Sequence, residues 1–407
     1  MSKGLLSVVC GNTPGMRGHL ADLLLRGRSG TVVLAVSVTA DDRRYPTVQR
    51  FASGLGPGEP PNRPSCRAAT GDPAVIVRQD LAELARHRPG RPVVLAPSGD
   101  LDLLPFLADL WHAPIGVTPL ARQYDLAPVA VGIDPAQLLR DLRCIHDSAA
   151  IRVGDAGRAT TAEAAARLAE AADVLLVPDE PDEPDDEGGL ARAGRAVLAH
   201  LNPSAALTPM PVGLDSAAAR AARSALLAPL HHVVVASRLA GAFEPVGLLP
   251  RQVPVLDDVA SVRWQARRPF HPQRLARALP TVMRSVARSR GHLWLASRPG
   301  SVVSWRSAGR HLELREEDRW LEEDTADAWH AASPERRTLA AWHWDPYFGE
   351  RRSELVFVGA GLDRDRLCAT LDAALLDDGE LAAGPDGWRH LTDPLLGGPA
   401  VRGLLGP

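Results

Sequence analysis

From residue 1 to about 230, short apolar runs rich in Val, Leu and Ile, at 5–9, 31–38, 92–95, 128–133 and 173–177, alternate with stretches of helical spacing at 18–25, 78–87, 101–112, 161–172 and 215–227. Continuous apolar runs of this length fit strands covered on both faces, and their alternation with helices predicts βα units around a mostly parallel sheet. The pattern changes after residue 258. Strand-like segments at 292–296 and 354–358 then mix with helical ones at 272–287 and 363–376, which predicts a smaller α+β domain. Two stretches interrupt the periodicity. Residues 178–189 read PDEPDEPDDEGG, where prolines and a block of like charge predict a solvated loop. Residues 240–258, with Pro245, Pro250 and Pro254, read as a linker. The expected organisation is an α/β domain over 1–239, a linker over 240–258, an α+β domain over 259–394 and a tail over 395–407.

Composition sharpens this division, since eight of the nine tryptophans lie beyond residue 260. The balance of 46 Lys and Arg against 49 Asp and Glu, for a net charge of -3, gives no electrostatic case for a naked nucleic acid partner. The four cysteines, Cys10, Cys66, Cys144 and Cys368, form neither a CxxC metal site nor a secreted disulfide framework. No segment approaches the roughly 18 apolar residues of a membrane span, and the N-terminal apolar run is too short for a signal sequence. These features together lead to the expectation of a cytoplasmic protein with no membrane partner.

The C-terminal third carries RRPFHPQRL at 267–275, SRGHLWLASRP at 289–299, SWRSAG at 304–309, ERRSELVFVGAGLDRDRL at 350–367 and LDAALLDDGE at 371–380. In this order and spacing the segments resemble the CobW C-terminal domain, with its RPF-x-P-x-R-L start, KG-x-x-W-L-A strand and E-L-V-F-x-G strand. Trp294, Phe357 and Leu371 fall at core spacing, whereas His271, Arg351 and Arg352 are expected at the surface. The resemblance implies that the first domain is a P-loop NTPase-like α/β domain, a mostly parallel sheet with helices on both faces.

CobW-like proteins open with a phosphate loop, G-x-x-x-x-G-K-S/T, whose amides, lysine and hydroxyl hold the phosphates and magnesium. The corresponding segment here is GNTPGMRG, 11–18. Gly11 stands, Met16 replaces the second glycine, Arg17 replaces the lysine and Gly18 supplies no hydroxyl. Gly11, Gly15, Arg17 and Gly18 are therefore the residues of an eroded nucleotide loop, in which Arg17 keeps the charge to meet an anion at a helix N-terminus. The family's cysteine motif, G-C-x-C-C-x-x-R-x-D-L, becomes GDPAVIVRQDL at 71–81, with Asp72, Ala74 and Val75 at the cysteine positions. A set of thiolates that would select zinc is absent there, and Cys66 stands apart. The glutamate of the V-V-I-E-x-S/T-G strand is Ala96 in VVLAPSG, and Pro178 and Pro181 lie where the guanine-reading Asn and Asp belong, with Asp179 and Asp182 nearby. Scaffold residues of the family, Gly11, Arg78, Asp80, Gly99 and Asp134, remain.

By resemblance, these features imply a CobW-like protein that does not hydrolyse GTP and acts by binding or recruiting a protein partner. The resemblance extends to actinobacterial factors that recruit a hibernation protein to ribosomes under zinc limitation, which share RRPFHPQRL, RGxLWLA and a YPFG segment, matched with altered spacing at 346–349. No cofactor is expected, and GTP with magnesium only if the eroded loop still binds. No metal site and no catalytic residue are assigned. The alternative implied by the family is a GTP-binding metallochaperone that delivers zinc or cobalt to a client.

Overall fold

The computed structural model describes residues 2–26, 30–39, 45–53, 65–99, 101–111, 117–151, 158–179, 186–231, 253–321, 326–396 and 403–404. The chain divides into two compact units, Met1–Ala240 and Gly241–Pro407. Most of the expected linker, 240–252, lies outside the described residues, as does 180–185 of the acidic stretch.

The first unit has strands β1 (Gly4–Gly11), β2 (Val32–Thr39), β3 (Thr47–Ser53), β4 (Ser65–Thr70), β5 (Val93–Pro97), β6 (Tyr124–Leu126), β7 (Ala130–Gly132), β8 (Asp147–Ile151), β9 (Arg158–Thr160), β10 (Val174–Val177) and β11 (Ala206–Pro209). Its helices are α1 (Pro14–Leu25), α2 (Pro73–His87), α3 (Leu103–Trp111), α4 (Pro135–Arg143), α5 (Thr161–Glu170), α6 (Asp186–Leu201) and α7 (Ala217–Leu226). The main sheet runs β11-β10-β7-β1-β5-β2-β3-β4, parallel from β11 to β2 and antiparallel over the β2-β3-β4 edge, with β6 also paired to β1.

The chain winds outward from β1 in both directions, so right-handed crossovers place helices on both faces. On one side Leu20, Leu23 and Leu24 of α1 pack with Ala219 and Leu226 of α7; α2 to α6 contact one another as a second group. This is the mostly parallel α/β architecture expected, with helices on both faces. The buried runs that announced it, such as Leu6, Val8 and Val9 of β1 and Val93, Val94 and Leu95 of β5, are the central strands. The acidic stretch is less irregular than expected, because α6 begins at Asp186 and takes in Gly188 and Gly189.

The second unit is built on an antiparallel sheet of β12 (Val259–Ala266), β16 (Ser353–Ala360), β13 (Arg288–Leu293), β14 (Ser301–Ala308), β15 (His311–Arg319) and β17 (Gly403–Leu404), in that spatial order. The helices Pro272–Val282 and Arg364–Asp372 supply Leu275 and Leu371 to a core with Phe270, Trp305 and Phe357. Trp294, Trp320 and Trp388 form a second cluster. Trp294, Phe357 and Leu371 are thus core residues, as their spacing predicts.

The described residues of the expected tail belong to the fold: Leu395 lies in the core with Leu396 packed against it, and Gly403–Leu404 pairs with β15. Arg352 is also not a surface residue. It is 4% exposed and its Nε reaches Glu354 Oε2 at 3.0 Å, while Arg351 is half-buried over the ring of Trp294. His271 is likewise half-buried, at the N-terminus of the helix Pro272–Val282 and 3.9 Å from Glu380.

Candidate functional site

The segment between β1 and α1 is short. Gly11 ends the strand and Pro14 opens the helix, so Asn12 and Thr13 alone connect them. Proline at the first helical position and Thr13 as cap favour this early start. Thr13 Oγ1 accepts the Met16 amide at 3.2 Å and Thr13 O accepts the Arg17 amide at 3.2 Å. The Asn12 amide donates to Gly132 O at 3.1 Å, and Pro14 has no amide hydrogen. Three of the loop's backbone donors, the Asn12, Met16 and Arg17 amides, are thus bonded within the protein.

The same segment is closely packed at two glycines. A Cβ on Gly11 would lie 2.6 Å from the Arg17 nitrogen, and one on Gly132 would lie 3.0 Å from the Met16 Cβ. Met16 packs against the core of α1 and α7. Gly15 and Gly18 are exposed, and Arg17 is half-buried with its guanidinium 3.5 Å from Pro97 O. The structure therefore brings Gly11, Arg17 and the end of β5 together, while Gly15 and Gly18 face outward.

The scaffold residues have structural roles. Asp134 caps α4 through the Ala136 and Gln137 amides at 3.0 and 3.2 Å, and the Asn12 amide side chain clasps Asp134 through two 2.9 Å bonds to its backbone. Arg78 is buried and donates to Leu110 O at 3.1 Å and to Asp109 O, fixing α2 to α3. Desolvation lowers its pKa from the ordinary arginine value. Asp80 pairs with Arg50 of β3 at 3.0 Å, though burial still raises its pKa. At the three cysteine positions, Asp72 caps α2 with bonds from the Ala74 and Val75 amides at 2.8 and 3.1 Å, Ala74 is fully buried, and Val75 is exposed. Cys66 is exposed, and among the described residues no group of three His, Cys, Asp or Glu side chains is placed to share a metal. Ala96 is buried in β5, Pro178 and Asp179 follow β10 in irregular conformation, and Pro181 and Asp182 lie outside the described residues.

The loop residues Gly11, Asn12, Thr13, Pro14 and Arg17 line a cleft of ≈ 280 Å³ between the N-terminal ends of α1 and α5, with Ser98 and Asp141 also on its walls. Sequence reasoning placed Gly99 in the scaffold but passed over Ser98 and the contribution of α5, because no local pattern marks residues brought together by the sheet.

In the second unit the resemblance motifs are structural joints. Arg267 donates to His343 O at 2.6 Å, Phe270 bonds Trp294 O at 2.9 Å, and Arg274 donates to Leu375 O at 2.6 Å and Glu380 Oε1 at 2.9 Å. Gly291 has φ +147°, and a Cβ there would sit 1.9 Å from Glu354 O, so the strand pairing requires glycine.

The solvent side shows two large aromatic side chains, Trp342 at 81% and Tyr347 at 73% exposure. They flank a turn in which Asp345 Oδ1 accepts the Tyr347 and Phe348 amides at 2.8 and 2.9 Å; those bonds hold the carboxyl below its usual range. The sequence signal for this pair is the aromatic run WHWDPYFGE, 342–350, in an otherwise polar stretch.

The described helices include none long and apolar enough to cross a membrane. The family described as the cobalamin synthesis protein cobW C-terminal domain matches residues 259–375. A Mycobacterium tuberculosis protein named as a zinc chaperone is 39% identical over 137 residues, 34% of this chain and 34% of that protein. The Dictyostelium discoideum zinc-regulated GTPase metalloprotein activator 1 is 31% identical over 141 residues, 34% of this chain and 29% of its own. The chain thus matches about a third of the length of these curated relatives. A Zn(II)-bound YjiA GTPase from E. coli aligns over 92% of this chain and 100% of its own at 14% identity, with a TM-score of 0.35, too low to carry an argument. The linked RRPF, Gly291 and Glu354 joints and the family match coincide, so residues 259–375 match the CobW C-terminal domain.

Proposed function

We propose that this protein is a non-catalytic CobW-like recruiting factor, in which the α/β unit is a scaffold and the C-terminal unit presents the partner surface. The observation that carries the reading is the start of α1 at Pro14, which commits the Asn12, Met16 and Arg17 amides to internal acceptors. The residues present do not fit a magnesium nucleotide: three loop amides are bonded internally, Gly18 lacks the hydroxyl that would ligate the metal, and Arg17 is the single cation of the loop.

The exposed Trp342 and Tyr347 support a protein partner, because large rigid aromatics in solvent are the side chains that dominate protein interfaces. The partner proposed is a ribosome-associated hibernation factor acting under zinc limitation, on the strength of the shared C-terminal segments. Calorimetric titration of GTP, with and without magnesium, tests the non-catalytic half. Micromolar binding that tightens with magnesium would refute it. Cosedimentation with ribosomes from zinc-starved cells tests the recruiting half, and loss of the complex is expected when the hibernation factor is removed.

The names of the matched relatives favour a second reading, a GTP-binding metallochaperone for zinc. Against it stands Asp72, whose carboxylate is occupied in capping α2 at a position where a thiolate would be required. Stoichiometric zinc in the purified protein, retained through a chelator wash, would support this second reading over the first.

A further inference from the structure

We infer that a cavity beneath the C-terminal half of α2 binds a small organic monocarboxylate, its carboxylate received by Arg50 and its apolar body by Leu34, Ala52 and Leu84. The cavity measures ≈ 180 Å³ and lies within the first unit, between α2 and the β2-β3-β4 edge of the sheet. Its α2 residues run from Asp80 to Arg88, at the other end of that helix from Asp72 and the eroded cysteine motif. The site is independent of the nucleotide loop and of the recruiting role.

Strand register accounts for the space. Ala52 of β3 pairs with Leu34 of β2 and stands two residues from Arg50, so a methyl group sits where a larger side chain would fill the gap under Leu84. Arg50 is 9% exposed, and its Nε lies 3.0 Å from Asp80 Oδ2 without forming a hydrogen bond. Its two terminal nitrogens donate to no protein acceptor among the described residues, yet they are not sealed off as Nε is. A buried guanidinium with open donors on a cavity wall calls for an acceptor from the cavity, and a carboxylate is the acceptor its fork fits best.

Charge and size set the ligand class. Arg50, Arg67 and Arg88 line the cavity against two carboxylates, Asp80 and Glu83. Asp80 lies against Arg50, Glu83 is 3.6 Å from Arg67, and His87 Nδ1 is bonded to Glu83 O. One positive charge is left over, which favours a monoanion over an ammonium or a polyphosphate. The leucines and Ala52 favour an organic body over an inorganic ion. A cavity of about 150 Å³ accepts benzene, so this one suits a ring-sized body carrying a single carboxylate. Arg67 and Glu83 are exposed at the rim, which leaves a way in from solvent.

Sodium benzoate is titrated calorimetrically into the full-length protein at constant ionic strength. Sodium acetate, which lacks the body, and benzamide, which lacks the charge, are the comparison arms. Saturable benzoate binding on the order of 1 mM is expected, with acetate and benzamide at least about ten-fold weaker. Arg50→Met should abolish the binding, but it also strands Asp80. Ala52→Leu fills the cavity while keeping the Arg50–Asp80 pair, and should weaken benzoate about ten-fold or more in a protein whose circular dichroism matches wild type. No saturation by benzoate, benzamide as tight as benzoate, or benzoate binding that Ala52→Leu leaves unchanged would each overturn the site.

Discussion

Replacing Arg336 by methionine would leave a buried carboxylate without its cation in the C-terminal unit. Glu350 is fully buried and Arg336 is 3% exposed, and two bonds of 2.6 Å join the guanidinium to both carboxylate oxygens. Arg336 Nε also donates to Asp318 at 2.9 Å, and Glu350 accepts the Leu321 amide. Removal of one partner from a buried pair costs about 3–5 kcal/mol, far more than the net worth of the intact pair, because the remaining charge is neither solvated nor compensated. For a protein of this size class that loss corresponds to roughly 10 °C in melting temperature. The assay is urea or thermal unfolding of the full chain followed by tryptophan fluorescence, which reports mainly this unit because eight of nine tryptophans lie there. The double variant Arg336→Met/Glu350→Gln removes the stranded charge while leaving an acceptor for the Leu321 amide, and is expected to recover about 2 kcal/mol of the loss. A cost below about 1 kcal/mol for the single variant, or a second substitution that adds to the damage, would refute the reasoning.

Three further outcomes follow from the same unit. His292 is fully buried, and burial pushes its pKa down to about 3. Above its unfolded pKa near 6.5 both states are neutral; as pH falls the unfolded chain takes a proton that the folded chain refuses, so stability should drop by about 2 kcal/mol between pH 7 and 5 and keep falling toward pH 3. Chemical denaturation of His292→Gln should show that drop much reduced, and an equal drop in both proteins would refute the assignment. Gly291→Ala should destabilise by more than about 3 kcal/mol, since its Cβ would meet Glu354 O at 1.9 Å, and a melting temperature within 2–3 °C of wild type would contradict the strand geometry. Trp342→Ala and Tyr347→Ala should change stability by less than about 0.5 kcal/mol yet weaken ribosome cosedimentation about ten-fold or more, and unaltered cosedimentation would remove these residues from the partner surface.

The central strands and most helices were legible because burial on both faces leaves a continuous apolar run, as in β1 and β5. The β3 and β4 strands were not, since TVQRFAS and SCRAAT lie at a half-covered edge and alternate too weakly to stand out. Helices also began earlier than the periodicity suggested. α1 starts at Pro14 and α2 at Pro73, both set by a capping side chain and a first-turn proline, which act on the backbone and add nothing to the apolar repeat. Arg352 was expected at the surface because a single sequence does not disclose that Glu354, two positions on, will be buried with it.

The same limit explains the site. A loop motif is local, so the substitutions at Met16, Arg17 and Gly18 could be read directly from GNTPGMRG. Their physical consequence was not local. Met16 turns into the core against Gly132, Asn12 bonds Asp134 across 122 positions, and these long-range ties allow α1 to begin almost at the end of β1. Once the helix starts there, restoring lysine at position 17 and serine at position 18 would not restore the cradle, because the Met16 and Arg17 amides would still be bound to Thr13. A variant carrying Arg17→Lys and Gly18→Ser should therefore remain unable to bind GTP in the same calorimeter, with micromolar binding by it as the contrary result. Side-chain chemistry alone would predict rescue by those two changes, whereas the backbone geometry predicts none.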